Sequence, residues 1–214
     1  MGIVGASGAG KSTLVNLLGG FADPSAGVVS RGWCDRGRAA SGRLAAADGL
    51  HSPESVRVPC HAAREHRVFT APDADEADLS RAVEAMGLGD LVSQLPDGLD
   101  TVIGEGARSL SGGQAQRIAL ARAFLDADRR ILLFDEPTAH LDIETEWELK
   151  ERMLPLMEGR LVFFATHRLH WMSDMDYVLV VDGGRVVEAG RPEELAAHDG
   201  PYARLASRLG GDVA

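Results

Sequence analysis

The stretch that decides the fold is Gly2–Leu18, "GIVGASGAGKSTLVNLL". Gly2 to Val4 read as the end of a short strand. Leu14, Val15, Leu17 and Leu18 give the apolar pattern of a helix, which Gly19-Gly20 ends. Between them, Gly5–Ser12 fits G-x-x-x-x-G-K-[ST] with a strand before and a helix after. Gly8 and Gly10 let the backbone curl so that successive N–H groups face one point, and the new helix adds its positive end. That arrangement suits phosphate. Lys11 can reach the β- and γ-phosphates of a nucleotide, Ser12 can place its hydroxyl on Mg²⁺, and Thr13 can bond a phosphate oxygen. The candidate nucleotide-binding residues are therefore Gly5, Ser7, Gly8, Ala9, Gly10, Lys11, Ser12 and Thr13. A Gly-rich strand–helix turn without a ligand is the alternative.

Outward from this loop the chain alternates buried strands with helices. "DADEADLSRAVEAMGL", from Asp73, is a helix with acidic residues in its first turn and Leu79, Val83 and Met86 on one face. "LSGGQAQRIALARAFL" is a loop entering a helix. Ile131 to Phe134 form a buried strand ending in Asp135 and Glu136. "DIETEWELKERMLPLM" is a helix with Asp142 as N-cap. "LVFFATH" is a further buried strand, and "YVLVVDGGRVVEAG" a hairpin turning at Gly183-Gly184. Apolar strands alternating with helices predict an α/β fold with a largely parallel sheet.

Two further groups carry candidate chemistry. Asp135 and Glu136 stand at a strand's carboxyl end, where α/β sheets bind ligands. One carboxylate can support the Mg²⁺ shell through water, and the other can deprotonate an attacking water. Taken alone, the pair reads equally well as a polar turn. His167 follows the next strand and can reach a γ-phosphate as a donor, whereas His140, His170 and His198 read as structural or solvated. Ser111-Gly112-Gly113 opens a helix with a hydroxyl, bare amides and a helix dipole, which makes a second anion site. One nucleotide does not need two such loops from one chain, so this one is expected to cap a nucleotide held by another subunit. A tight turn with a Ser N-cap is the plainer reading.

Composition narrows the class. A net charge of −10 over 214 residues is wrong for neutralising phosphate backbones, so nucleic acid is not an expected partner. No apolar run approaches the ~18 residues a spanning helix needs. "MGIVGASGAG" lacks the basic start and long apolar core of a signal peptide, and a cytoplasmic location is the resulting expectation. Two cysteines build no disulfide framework. Among the 22 basic residues only Lys11 and Lys150 are lysine.

"LSGGQAQR", Leu110 to Arg117, together with the motifs above, resembles the nucleotide-binding domain of an ATP-binding cassette (ABC) transporter. The resemblance covers residues 2–30 and 72–209. Gly5–Thr13 is similar to the Walker A loop and Leu110, Ser111, Gly112, Gly113 and Gln114 to the signature. Ile131–Glu136 is similar to Walker B with the catalytic glutamate, His140–Asp142 to the D-loop, and His167 to the switch histidine. The resemblance implies a P-loop NTPase with a RecA-like core at 1–30 and 128–190. It implies a helical signature subdomain at 72–127 and C-terminal helices at 191–214. It implies ATP and Mg²⁺ as ligands, with Ser12 and Asp135 at the metal, and Glu136 and His167 as catalytic residues. It implies a second ABC domain paired head to tail, Ser111 and Gly113 serving the partner's nucleotide, and Asp142 in the D-loop. The context "PDGLDTVIGEGARSLSGGQ" and "GRVVEAGRPEELAAHDGPYARL" resembles exporter-type domains, nearest the heterodimeric exporters of cysteine and glutathione. The partner implied is then an exporter's transmembrane domain, with this chain peripheral at the inner face of the plasma membrane. A degenerate domain that binds nucleotide with little or no coupled turnover is the alternative.

Two departures from the family pattern stand out. Family exporters place strands with an adenine-stacking aromatic ahead of Walker A, whereas this sequence starts within the strand before it, so the sheet is expected to be incomplete at that end. Residues 31–71 hold no Ile, Lys or Gln and follow no clear period. "VPCH", Val58 to His61, resembles the family's V-P-Q-H with Cys60 where a glutamine stands, and a thiol does not replace an amide that both donates and accepts. Residues 31–71 are therefore expected to be an aberrant or poorly ordered segment, read partly out of frame or otherwise degenerate; translating the gene's other two frames tests the frame slip. Cys34, Cys60, His51, His61 and His66 match no zinc spacing, and Arg57 and Arg64 make a weak setting for a reactive thiol.

Overall fold

The computed structural model describes residues 1–29, 50–51, 60–61, 76–103, 110–125 and 130–209. Strand β1 (Gly2–Val4) leads through the glycine-rich loop into helix α1 (Lys11–Gly19). Two-residue strands come after it, β2 (Leu50–His51) and β3 (Cys60–His61). Then come α2 (Glu76–Ala85), α3 (Gly89–Ser93), β4 (Val102–Ile103) and α4 (Gly112–Phe124). Strand β5 (Ile131–Asp135), helix α5 (Ile143–Met157) and strand β6 (Leu161–Thr166) come next. A 3₁₀ turn at Leu169–Asp174 precedes β7 (Val178–Asp182), β8 (Arg185–Gly190), α6 (Pro192–Ala197) and α7 (Pro201–Leu209). The chain divides into two compact units: 1–48 with 133–135 and 162–214, and 49–132 with 136–161.

The first unit is organised by β1. Ile3 and Val4 are wholly buried because the strand has a parallel neighbour on each side: Val4 lies opposite Thr166 of β6 and opposite Val180 of β7. The strand order here is β5-β6-β1-β7-β8. Strand β1 pairs in parallel with both β6 and β7, as a largely parallel sheet requires, and β8 returns antiparallel to β7. That antiparallel edge is the Gly183-Gly184 hairpin the sequence predicts, since a turn this tight can only return the chain antiparallel. The core behind the sheet is aromatic. The Phe164 and Trp171 rings stack at 4.3 Å, and Phe134 meets Phe164 at 5.7 Å in a tilted pair. Such pairs add about 0.5–1.5 kcal/mol beyond the area they bury. At the far end, Glu188 of β8 accepts the Tyr202 amide at 2.7 Å, placing a carboxylate at the start of α7.

The second unit is helical. Leu79, Ala82 and Met86 from the α2 region are buried, as are Ile118, Leu120 and Phe124 of α4 and Leu149 and Met153 of α5. The end of α2 has carbonyls with no partner inside the helix. Two arginines reach carbonyls at and just past this end: Arg152 donates to Glu84 O, which also accepts Gly87 N–H, and Arg117 donates to Gly87 O, each arginine bond at 3.1 Å. Glu146 sits inside α5 with no exposure, and Thr138 Oγ1 donates to its carboxylate at 2.5 Å. Helix α5, which the resemblance assigns with the 128–190 core segment, groups here with the helices.

Candidate functional site

In the first unit the loop before α1 is shaped for an anion. The Lys11 side chain is buried, and its Nζ donates to Gly5 O at 2.9 Å and Ala6 O at 3.2 Å. A buried ammonium is tolerable because these bonds are charge-assisted. Gly10 has φ +107, and a Cβ there would meet the Gly184 backbone at 3.3 Å. The approach is held by Gly184 N–H donating to Ala9 O at 2.8 Å. Ser12 and Thr13 are exposed in the first turn of α1, which carries no acidic residue. The positive helix end therefore remains open to a negative ligand.

Two more of the sequence's candidates belong to this unit. Asp135 ends β5, with Oδ1 buried. His167 follows β6 directly and is exposed, and the buried Thr166 accepts the Arg168 amide at 3.0 Å to set the turn. Val4 and Thr166 are register partners, so the phosphate loop and His167 leave adjacent strands at the same edge.

The second unit holds the other candidates. Ser111 caps α4: its Oγ accepts Gln114 N–H at 3.2 Å, while Gln114 Oε1 accepts Ser111 N–H at 3.0 Å. This reciprocal pair is a capping box and leaves Ser111 at the surface. Gly113 is tightly packed: a Cβ there would stand 3.0 Å from the Leu141 side chain, which would have to shift, and 3.5 Å from His140 O. The Ser111–Gly113 turn and the His140–Leu141 segment therefore touch. Glu136 has φ +48, a left-handed conformation that costs an L residue roughly 1–3 kcal/mol and needs its surroundings to hold it. Asp142 caps α5, accepting Thr145 N–H at 2.9 Å and its hydroxyl at 2.8 Å. The Thr145 amide first, then its hydroxyl, hold the Asp142 carboxyl below the usual aspartate range.

Gln116 carries no role in the sequence reading, although it lies within the quoted "LSGGQAQR". It is buried on the face of α4 shared by Ala119, Leu120 and Ala123. Its signal is a polar residue at i, i+3, i+4, i+7 spacing with apolar ones. Among the described residues no group of three or more His, Cys, Asp or Glu could hold a metal ion. The Gly-Glu-Gly segment at 104–106, the segment at 31–71 apart from the backbone of 50–51 and 60–61, and the side chain of Cys60 lie outside the described residues.

A phosphate loop leaving the middle of a mixed α/β sheet, with a Ser-Gly-Gly capping box on a separate helical unit, defines a nucleotide-binding domain. A family model described as ABC transporter matches residues 1–139, and the chain belongs to that family. It is 51% identical over 214 residues to the glutathione/L-cysteine transport system ATP-binding/permease protein CydC of Bacillus subtilis, spanning all of this chain and 37% of that protein. It is 39% identical over 212 residues to an ATP-dependent lipid A-core flippase of Neisseria gonorrhoeae, spanning 99% of this chain and 34% of that protein. The structure of a bacterial Atm1-family ABC exporter with ATP bound superimposes with a TM-score of 0.83 at 34% identity, covering all of this chain and 37% of that one. The chain thus spans about a third of these relatives' length. It is an ATP-binding domain with the fold of ABC exporters. Among the described residues no helix is long and apolar enough to cross a membrane.

Proposed function

We propose that the chain hydrolyses ATP to drive an exporter, through head-to-tail pairing with a second ABC domain. The observation that carries this reading is the phosphate loop itself, closed by Lys11 over its own carbonyls and opening exposed Ser12 and Thr13 at a helix start. The loop amides from Gly5, Ser7, Gly8, Ala9 and Gly10 line the phosphates, and Lys11 answers their charge. Glu136 accepts a proton from the water that attacks the γ-phosphorus, and the bond to the β-bridging oxygen breaks to release ADP. His167 donates to the γ-phosphate. Leu110 to Gln114 serve the nucleotide of the partner domain, with Asp142 in the facing D-loop.

Mg²⁺ fits the donors present. An exposed hydroxyl and a carboxylate, Ser12 and Asp135, are the hard oxygen ligands that suit this ion, which keeps its remaining positions for water and phosphate. When bound, it would neutralise charge developing on the phosphate oxygens. The transmembrane partner belongs to an exporter and holds this domain at the cytoplasmic membrane face. The name of the Bacillus relative points to thiol compounds as the cargo.

The sequence at Cys60 favours a second reading, a domain that binds nucleotide with little turnover. An ATPase assay of the purified chain beside Glu136→Gln separates the two. Removal of a general base lowers the rate by roughly 10²–10⁴-fold. A Mg²⁺-dependent rate that the variant abolishes supports hydrolysis. Nucleotide binding with equal background rates in both proteins supports the second reading, and no nucleotide binding at all sinks both.

A further inference from the structure

We infer that Gln116 is a positioning residue that clamps the backbone of Glu136 and ties it to the signature helix. Its side-chain amide spans the ends of one short loop. Nε2 donates to Glu136 O at 3.0 Å, and Oε1 accepts the His140 amide at 3.1 Å. The orientation of the amide is fixed by its partners, because a carbonyl needs a donor and an N–H needs an acceptor. Glu136 O also accepts Ala139 N–H at 3.2 Å, and Leu141 N–H donates to Thr138 O at 3.1 Å. Residues 136 to 141 therefore form a compact turn with Gln116 across its mouth.

Three features give the clamp a purpose beyond filling space. Gln116 is only 9% exposed, and a buried amide left unsatisfied is costly, so the loop and the side chain fix each other. The residue it grips is Glu136, the one described non-glycine residue with positive φ. That conformation persists only where surrounding bonds over-determine it. The third feature is place. Gln116 stands two residues beyond Gln114, the far half of the Ser111 capping box, on the same helix. Gly113 packs on Leu141 and His140, the end of the same loop. A shift of α4 must therefore move the backbone of Glu136. On the hydrolytic reading above, the helix that meets the partner's nucleotide sets the geometry of the carboxylate serving its own.

Two variants of the full chain test this. Gln116→Met keeps the volume and removes both bonds. Gln116→Glu keeps an acceptor for His140 N–H and removes the donor to Glu136. Hydrogen exchange without nucleotide is the first readout. The His140 amide should exchange at least about fivefold faster in Gln116→Met, with α2 and α5 unchanged, and stay protected in Gln116→Glu. Steady-state kinetics are the second. Both variants should lose about tenfold or more in kcat with KM for ATP within about twofold, the split expected when only the transition state is misaligned. Unchanged exchange at His140 in Gln116→Met overturns the clamp. Faster exchange with an intact kcat overturns the positioning role. Global loss of protection in both variants would make Gln116 a packing residue and overturn it also. A wild-type chain without turnover defeats the proposed function alone, since the exchange result still decides whether Gln116 holds the loop.

Discussion

At the scale of single residues, Lys11 shows how much of this site is a solution to one electrostatic problem. In a chain that otherwise uses arginine almost throughout, a lysine occupies the loop. Its ammonium is a compact point charge that fits against the Gly5 and Ala6 carbonyls, whereas a guanidinium is a broad planar fork. On the proposed function, the charge turns from these carbonyls to phosphate oxygens within the same loop. Lys11→Met should therefore weaken ATP binding at least tenfold by calorimetry, since a hydrogen bond to a charged group contributes about 1.5–3 kcal/mol. Lys11→Arg should fail to restore it, although the charge is kept. Equal affinity in Lys11→Arg and wild type would mean that charge alone matters there. Gln116 and the Thr138–Glu146 pair are the residues that sequence reading overlooks. Gln116 reads as one more polar helix position until its partners appear 20 and 24 residues away. Glu146 in "IETEWELK" looks like a surface charge and proves fully buried. In both cases the missing information is a contact between segments, which neither periodicity nor spacing contains.

At the scale of elements, the legible parts are those set by local chemistry. Helix α5 was readable because Asp142 is a strong N-cap directly ahead of an apolar helical pattern, and that pattern runs on through Pro155 to Met157. The Ser111 start of α4 and the hairpin at Gly183-Gly184 were readable for the same reason. Strands β2, β3 and β4 were not, because two residues carry no period. The Asp142 cap has a testable pH signature. Its carboxyl is held below the ordinary range by Thr145, so the folded chain binds this proton more weakly than the unfolded one. The stabilisation is fully present above the unfolded value of about 3.9 and is lost as pH falls through the lower folded value. Asp142→Ala should lower Tm at pH 7, and the gap to wild type should close as pH drops below about 4. Asp142→Asn keeps a capping oxygen and should show a smaller gap at pH 7. A gap for Asp142→Ala that stays constant down to the acid limit would place its effect elsewhere than in the ionised cap.

At the scale of the whole molecule, the chain holds one phosphate loop and one Ser-Gly-Gly turn, in different compact units. Each presents helix-start amides, and each suits an anion. The turn has its own hydroxyl and amide satisfied by Gln114, so it needs nothing from its own chain, yet Ser111 stands at the surface. Two copies arranged head to tail would give each ATP both halves of a site, and two identical sites would form at once. Nucleotide should then act as the adhesive: binding energy that is spread over both chains exists only while the γ-phosphate is present. With Mg²⁺ and ATP, Glu136→Gln should run at twice the 22.7 kDa of one chain by light scattering. With ADP it should run as one chain. Ser111→Glu in the same background places a carboxylate where the partner's γ-phosphate would arrive, and like charges at that distance repel strongly in a water-poor interface. That double variant should keep ATP affinity at its own loop and lose the doubled mass. A doubled mass that survives Ser111→Glu, or that ADP supports equally well, would show that the two chains meet through some other surface and that the signature turn does not read the partner's nucleotide.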